Sequence, residues 1–217
     1  MTYTEFVETN LKGFRVSEPI YTGYIAEKLA REYEMPQKEA AAATAVAFKR
    51  IMDGKELPEL RYYQKGTYYF TSETPFGEVG IDKNRIIEDK YLAGDNGYET
   101  GYSVLYQLGV TTQLPKERCI ASNNSYDCTR KDKKLGVTVK PPKTRINKKN
   151  KKYLQFLDAL EIMDKAPIEA EDPYTHLANY VKQEDLEYQY LLLLADRYYG
   201  KKTVLQIAHI ASKGEIQ

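Results

Sequence analysis

The segment Arg61-Tyr-Tyr-Gln-Lys-Gly-Thr-Tyr-Tyr-Phe70 constrains this chain most. Two aromatic, β-favouring runs flank Gln64-Lys65-Gly66, and glycine supplies the positive φ that a tight turn needs, so the segment reads as a hairpin. Three helical stretches precede it. Phe6, Val7 and Leu11 recur at helical spacing between Thr4 and Gly13, and Tyr24, Ile25, Leu29 and Tyr33 do so from Thr22 to Tyr33. A third stretch, Gln37 to about Asp53, follows Pro36, carries the alanines 40–43 and meets Gly54 as its stop. Three helices and then a hairpin is the order of a winged helix, with the hairpin as wing and the third helix as recognition helix.

Beyond Phe76-Gly77 the pattern changes, which places a domain boundary near residue 80. Ile81–Leu92 reads as helical or mixed, Asn96-Gly97 as a turn, and Gly101–Leu108 as a helix closed by Gly109. Arg118–Ser122 and Gly136–Lys140 read as short strands. Asn147 caps a helix running to about Ala159–Met163, and the spacing predicts further helices over Tyr174–Val181, Glu184–Tyr198 and Val204–Ala211. The expected fold class is α+β: a winged helix over 1–80, then a mixed α/β domain over 81–217.

Hydrophobic residues at 42% and charged residues at 29% exclude wholesale disorder. The first ten residues carry Glu5 and Glu8 without a long apolar run, so no signal peptide is expected, and Leu191–Ala195 is too short to span a bilayer. Cys119 and Cys128 form no CxxC pair and read as ordinary thiols. The expected setting is the cytoplasm, with no membrane partner.

A formal net charge of +1 hides a strong asymmetry. Arg130–Lys152 holds eleven bases against Asp132 alone, whereas Tyr153–Tyr199 holds ten acids against three bases. This split suggests a polyanion-facing edge beside an acidic helical region. The competing reading is mutual neutralisation. Eleven cations in 23 positions, with Pro141-Pro142 holding the middle extended, favour an exposed basic surface.

Four segments resemble one family. Gly97-Tyr-Glu-Thr-Gly-Tyr-Ser-Val-Leu-Tyr-Gln-Leu-Gly-Val-Thr-Thr-Gln-Leu-Pro115 is similar to the LNxLGLTTQxP block of the AbiEi-like antitoxins of type IV abortive-infection systems. Ala47-Phe-Lys-Arg-Ile51 resembles the end of that family's recognition helix, and Lys65-Gly-Thr-Tyr-Tyr69 its wing. Asn150-Lys-Lys-Tyr-Leu-Gln-Phe-Leu-Asp-Ala-Leu160 resembles its YLQLLDAL helix. The resemblance covers most of residues 20–163. It implies a regulator that binds double-stranded operator DNA, represses its own operon and counteracts a nucleotidyltransferase-like toxin without a stable complex. One departure is clear: residues 1–78 hold ten bases against twelve acids, a net of −2, although DNA affinity leans on neutralised phosphates. The alternative is a non-enzymatic interaction module that uses the winged helix and the basic segment for partner contacts.

The expected DNA contacts are Gln37, Lys38, Thr44, Lys49 and Arg50 on the third helix, Lys55, Arg61 and Lys65 around the wing, and Lys148, Lys149 and Lys151 in the basic segment. Gln37 and Thr44 address base edges, and the cations suit phosphate. An internal salt bridge is the competing reading for Arg50, and turn solubility for Lys65. Tyr62, Tyr63, Tyr68 and Tyr69 read as hairpin packing ahead of base stacking. No catalytic residue, metal site or cofactor is expected. His176 and His209 lack metal-ligand spacing, Ser103 and Ser122 lack a nucleophile-elbow context, and Glu88-Asp89-Lys90 is common by chance.

Overall fold

The computed structural model describes residues 1–113 and 115–214 and divides into two compact units, Met1–Ile86 and Ile87–Gln217. The division falls a few residues past the boundary expected near 80. The architecture is mixed α+β.

In unit 1, α1 (Tyr3–Leu11) opens with a capping box: the Thr2 hydroxyl accepts from the Glu5 amide, and the Glu5 carboxylate accepts from the Thr2 amide. The two-residue strand β1 (Ile20–Tyr21) leads directly into α2 (Thr22–Glu32). α3 (Gln37–Gly54) starts behind Pro36, whose missing N–H costs a helix start nothing. Lys55, at φ 53, closes it by donating its N–H to the Ile51 carbonyl, so the left-handed residue is Lys55 and Gly54 remains helical. β2 (Leu60–Gln64) and β3 (Thr67–Phe70) form the expected hairpin. β1 adds to the other side of β3, giving an antiparallel sheet of order β1-β3-β2.

The turn is fixed at Gly66, at φ 77: its carbonyl accepts from the Thr22 amide at 3.0 Å, and a Cβ there would lie 3.3 Å from Thr22 Oγ1. Val7, Leu11, Ile25, Phe48, Ile51 and Leu60 fill the core, and Tyr68 stacks on Phe48 with ring centroids 4.4 Å apart. The short strands β4 (Glu73–Thr74) and β5 (Gly77–Glu78) form a second hairpin before α4 (Lys83–Ile87).

In unit 2 the chain makes one wide turn over Glu88–Leu92, with the Ala93 amide bonding back five residues to the Glu88 carbonyl at 2.7 Å. Strands β6 (Gly97–Thr100), β7 (Arg118–Ser122), β8 (Arg130–Asp132) and β9 (Val137–Lys140) form a sheet of order β6-β7-β9-β8, with only β7 and β9 parallel. α5 (Tyr102–Gln107) lies between β6 and β7 in sequence, and α6 (Lys151–Ile162) follows β9. The chain ends in α7 (Pro173–Gln183), α8 (Tyr188–Tyr198) and α9 (Lys201–Gly214). α8 begins later than its spacing predicts, because Asp185 at φ 52 turns the chain first. Leu105, Leu157, Leu177, Leu191, Ile207 and Ile210 are among the fully buried side chains of the unit 2 core. No helix among the described residues is long and apolar enough to cross a membrane.

Candidate nucleic-acid interface

Helical periodicity divides α3 into two faces. Ala40, Thr44, Ala47, Phe48 and Ile51 are buried, whereas Gln37, Lys38, Ala41, Ala42, Ala45, Val46, Lys49 and Arg50 are exposed. Thr44, expected at base edges, is therefore no contact residue: it lies four residues after Ala40, on the inward face, with no solvent exposure. Its hydroxyl has no hydrogen-bond partner, which costs about 1–3 kcal/mol.

Lys38, Lys49 and Arg50 have no carboxylate partner among the described residues, so the internal salt bridge weighed for Arg50 is not formed. At about 1.5 Å of rise per residue, Lys38 and Lys49 stand roughly 16 Å apart along the helix. Between them the exposed residues are Glu39, next to Lys38, and then Ala41, Ala42, Ala45 and Val46, so past the first turn nothing long stands between the helix and a flat partner.

Lys65 is exposed at the hairpin turn that Thr22 anchors, and Lys55 is exposed at the end of α3. Arg61 is committed elsewhere. It donates to the Pro58 carbonyl and, at 2.6 Å, to Glu78, and this bond holds the Glu78 carboxyl below its usual range. Arg61 therefore ties β5 to β2 and is not a free cation of the hairpin. Tyr62 packs edge-on against Tyr68, as the packing reading of the tyrosines expects.

The basic segment is partly spent. Lys131 pairs with Glu117 at 2.9 Å, Lys140 with Asp158 at 2.8 Å, Lys143 with Glu161 at 2.7 Å and Lys152 with Glu184 at 2.6 Å. Three of these four partners lie in the acidic stretch that follows, so the expectation that it leaves the cations uncancelled is corrected in part. Pro141 and Pro142 are half-buried, not exposed. Of the three lysines singled out, Lys148 is exposed with no carboxylate partner among the described residues, Lys149 sits 5.0 Å over the Tyr190 ring, and Lys151 donates to the Gly94 carbonyl at 3.2 Å.

The β8–β9 hairpin offers more open charge. Asp132 organises its turn, accepting from the Leu135 amide through its side chain and from the Gly136 amide through its carbonyl, with Gly136 at φ 73. Lys90 and the Tyr91 hydroxyl, each 3.0 Å from Asp132, offset its charge. Arg130 stacks over Tyr126, and Arg130 and Lys133 line a cleft of about 310 Å³. The spacing Asp132…Gly136 was the available signal for this turn, and sequence reasoning did not use it.

The segments Gly97–Pro115 and Asn150–Leu160 of unit 2 contribute to a buried carboxylate network around Asp158, which sequence reasoning counts only as one acid among ten. Asp158 of α6 is 1% exposed. It accepts from Thr100 Oγ1 at 2.8 Å, Tyr98 at 3.3 Å, Tyr199 at 2.7 Å and Lys140 Nζ at 2.8 Å. Burial, reinforced by the charge of Asp158, pushes both phenols far above their ordinary range, so they remain neutral donors. Gln155 Nε2 bonds the Glu99 carbonyl at 3.0 Å, one turn away. Gly97 has no room for a side chain, since a Cβ would lie 2.0 Å from the Tyr91 carbonyl oxygen. These residues lock α6 onto β6, with Asp158, Tyr98 and Thr100 buried and Lys140, Gln155 and Tyr199 half-buried.

Comparison with protein-family models and with curated proteins gives no match for this chain.

Proposed function

We propose that unit 1 is a winged helix-turn-helix and that the chain is a cytoplasmic, non-enzymatic antitoxin-type regulator that binds operator DNA. The element order α1-β1-α2-α3-β2-β3 and the strand order β1-β3-β2 support the winged-helix reading. The observation that carries DNA binding is the exposed face of α3, where Lys38, Lys49 and Arg50 flank alanines without carboxylate partners. Eleven residues make about three turns, so Lys38 and Lys49 lie on one stripe of α3 roughly 16 Å apart, where both can meet phosphates while the helix sits in a major groove wide enough to admit it. Gln37, in the first turn, is the base-reading side chain. Lys65, Lys55 and Lys148, with Lys149 and Lys151 beside it, add phosphate contacts, and Arg130 and Lys133 join them.

The resemblance to the AbiEi-like family supports the wider role: repression of its own operon and antagonism of a nucleotidyltransferase-like toxin without a stable complex. The test is a gel-shift titration of the full chain against its own promoter fragment and random DNA of equal length. The regulator reading expects tighter binding to the promoter, with affinity falling steeply as salt rises. Equal, salt-insensitive binding would favour the interaction-module reading.

A further inference from the structure

Past Val110, which is in the core, the block Gly97–Pro115 holds residues that the DNA reading does not use. Thr111, Gln113, Pro115 and Lys116, with Tyr102 and Lys165 among others, line a cavity of about 320 Å³ in unit 2. Its chemistry is one-sided. Lys116 and Lys165 are exposed with no ion-pair partner among the described residues, and no carboxylate lines the cavity. Tyr102 is 45% exposed and, with Pro115, offers a flat apolar wall. Gln113 supplies an amide and Thr111 a hydroxyl.

The walls are fixed in advance. The Tyr102 hydroxyl donates to the Lys165 carbonyl at 3.4 Å, joining the start of α5 to the turn after α6. Across the loop, the Glu169 amide donates to the Val110 carbonyl at 3.1 Å. The Glu169 carboxylate accepts from both the amide and the hydroxyl of Thr112. These bonds, with a weaker one from the Gln113 side chain, hold it below its ordinary range. Two cations and a planar wall in an open cavity at the small end of the ligand-pocket range of about 300–1,000 Å³ suit a ligand that stacks a flat ring system on the wall and places anionic groups between the cations.

We infer that this cavity binds a nucleoside phosphate, its base against Tyr102 and Pro115 and its phosphates between Lys116 and Lys165. The inference goes beyond the regulator reading and does not depend on it.

The experiment is isothermal titration calorimetry of the full chain in EDTA with four probes: ATP, adenosine, inorganic triphosphate and a short 5′-phosphorylated oligonucleotide. ATP is expected to bind with Kd on the order of 10–100 μM, and adenosine and triphosphate each at least about tenfold more weakly. Lys116→Ala with Lys165→Ala, and separately Tyr102→Ala, should each weaken ATP binding by about tenfold or more, with circular dichroism unchanged because all three side chains are exposed. A readout free of variants is lysine acetylation followed by mass spectrometry, in which ATP should protect Lys116 and Lys165 of the unaltered chain. The inference is overturned by no ATP binding at millimolar concentration, by ATP binding that ignores the double lysine substitution, or by absence of protection. Triphosphate binding as tightly as ATP would remove the base from the site. An oligonucleotide binding more tightly than ATP through the same lysines would make the ligand a strand end and not a free nucleotide.

Discussion

On α3 of unit 1, Lys38, Lys49 and Arg50 stand exposed and without carboxylate partners among the described residues. In unit 2, between Arg130 and Lys152, four lysines are held in ion pairs and a fifth is bonded to a backbone carbonyl. The region richer in positive charge thus offers a smaller share of it, and the net-acidic unit keeps its helix face open. The difference lies in packing. α3 turns only its small and apolar side toward its core, whereas β9, the segment after it and α6 bring Lys140, Lys143 and Lys152 beside Asp158, Glu161 and Glu184. Charge counted along a chain measures what could meet a polyanion, and burial and pairing decide what remains to do so.

The largest expected effect tests the reading of unit 2 as a packed scaffold. Asp158→Ala leaves the half-buried Lys140 and three hydroxyls without their acceptor, and should destabilise unit 2 by about 3–5 kcal/mol, measured by urea unfolding. A change below about 1 kcal/mol would mean that the network contributes little and that Lys140 is free to act elsewhere.

A smaller effect is expected on sequence reading by unit 1. Gln37→Ala should leave affinity for random DNA unchanged and remove about 1–3 kcal/mol of preference for the promoter, read by competition gel shift. Equal losses on both DNAs would place Gln37 on phosphate and not on bases.

Thr44→Val sharpens the division of α3 into two faces. Replacing an unpartnered buried hydroxyl with a methyl of the same shape should stabilise unit 1 by about 1 kcal/mol and leave DNA affinity unaltered. A loss of promoter binding without loss of stability would return Thr44 to the interface.

The smallest effect concerns Asp172, which caps α7. Hydrogen bonds from Lys213, first, and then from the Thr175 side chain and backbone hold its carboxyl down at about 2. Its folded value lies below an ordinary aspartate value of about 3.9, so its stabilisation is present above that pH and is lost as pH falls through about 2. Asp172→Asn should therefore lower stability modestly at pH 7 and match the unaltered chain near pH 2. A difference that persisted at pH 2 would assign the effect to something other than the charge.

Much of the fold was legible because periodicity and punctuation act locally. The three helices of unit 1, the Gly66 turn, α5, β7 and β9 follow from spacing and turn chemistry. Ile20–Tyr21, Glu73–Glu78 and Arg130–Asp132 were missed as strands because each is only a few residues long and is defined by a partner remote in sequence or by a tight turn. The spacing marks Asn96-Gly97 as a turn and assigns no element to Tyr98–Thr100, since the pairing of Gly97–Thr100 with Cys119–Ser122 is invisible to local pattern. At the candidate interface, Lys38 and Lys49 were legible from charge and spacing. Thr44 was misplaced because residue type was weighed without helical phase, although Ala40, Ala47 and Phe48 carry that phase. Arg61 was misread because Glu78, its partner, lies seventeen residues away on a strand the sequence did not reveal.

The account rests on unpaired cations being the ones that meet phosphate, and the salt dependence of promoter binding tests this most directly. Fluorescence anisotropy from about 50 to 200 mM salt gives the slope of log affinity against log salt, to which each phosphate contact adds roughly one unit. Lys38→Ala with Lys49→Ala should lower the slope by about two. Lys148→Ala, Lys149→Ala and Lys151→Ala together should lower it by fewer than three, because Lys151 is engaged by the Gly94 carbonyl. An unchanged slope in the α3 variant, with a drop of three or more in the other, would contradict the account and move the DNA contact to unit 2.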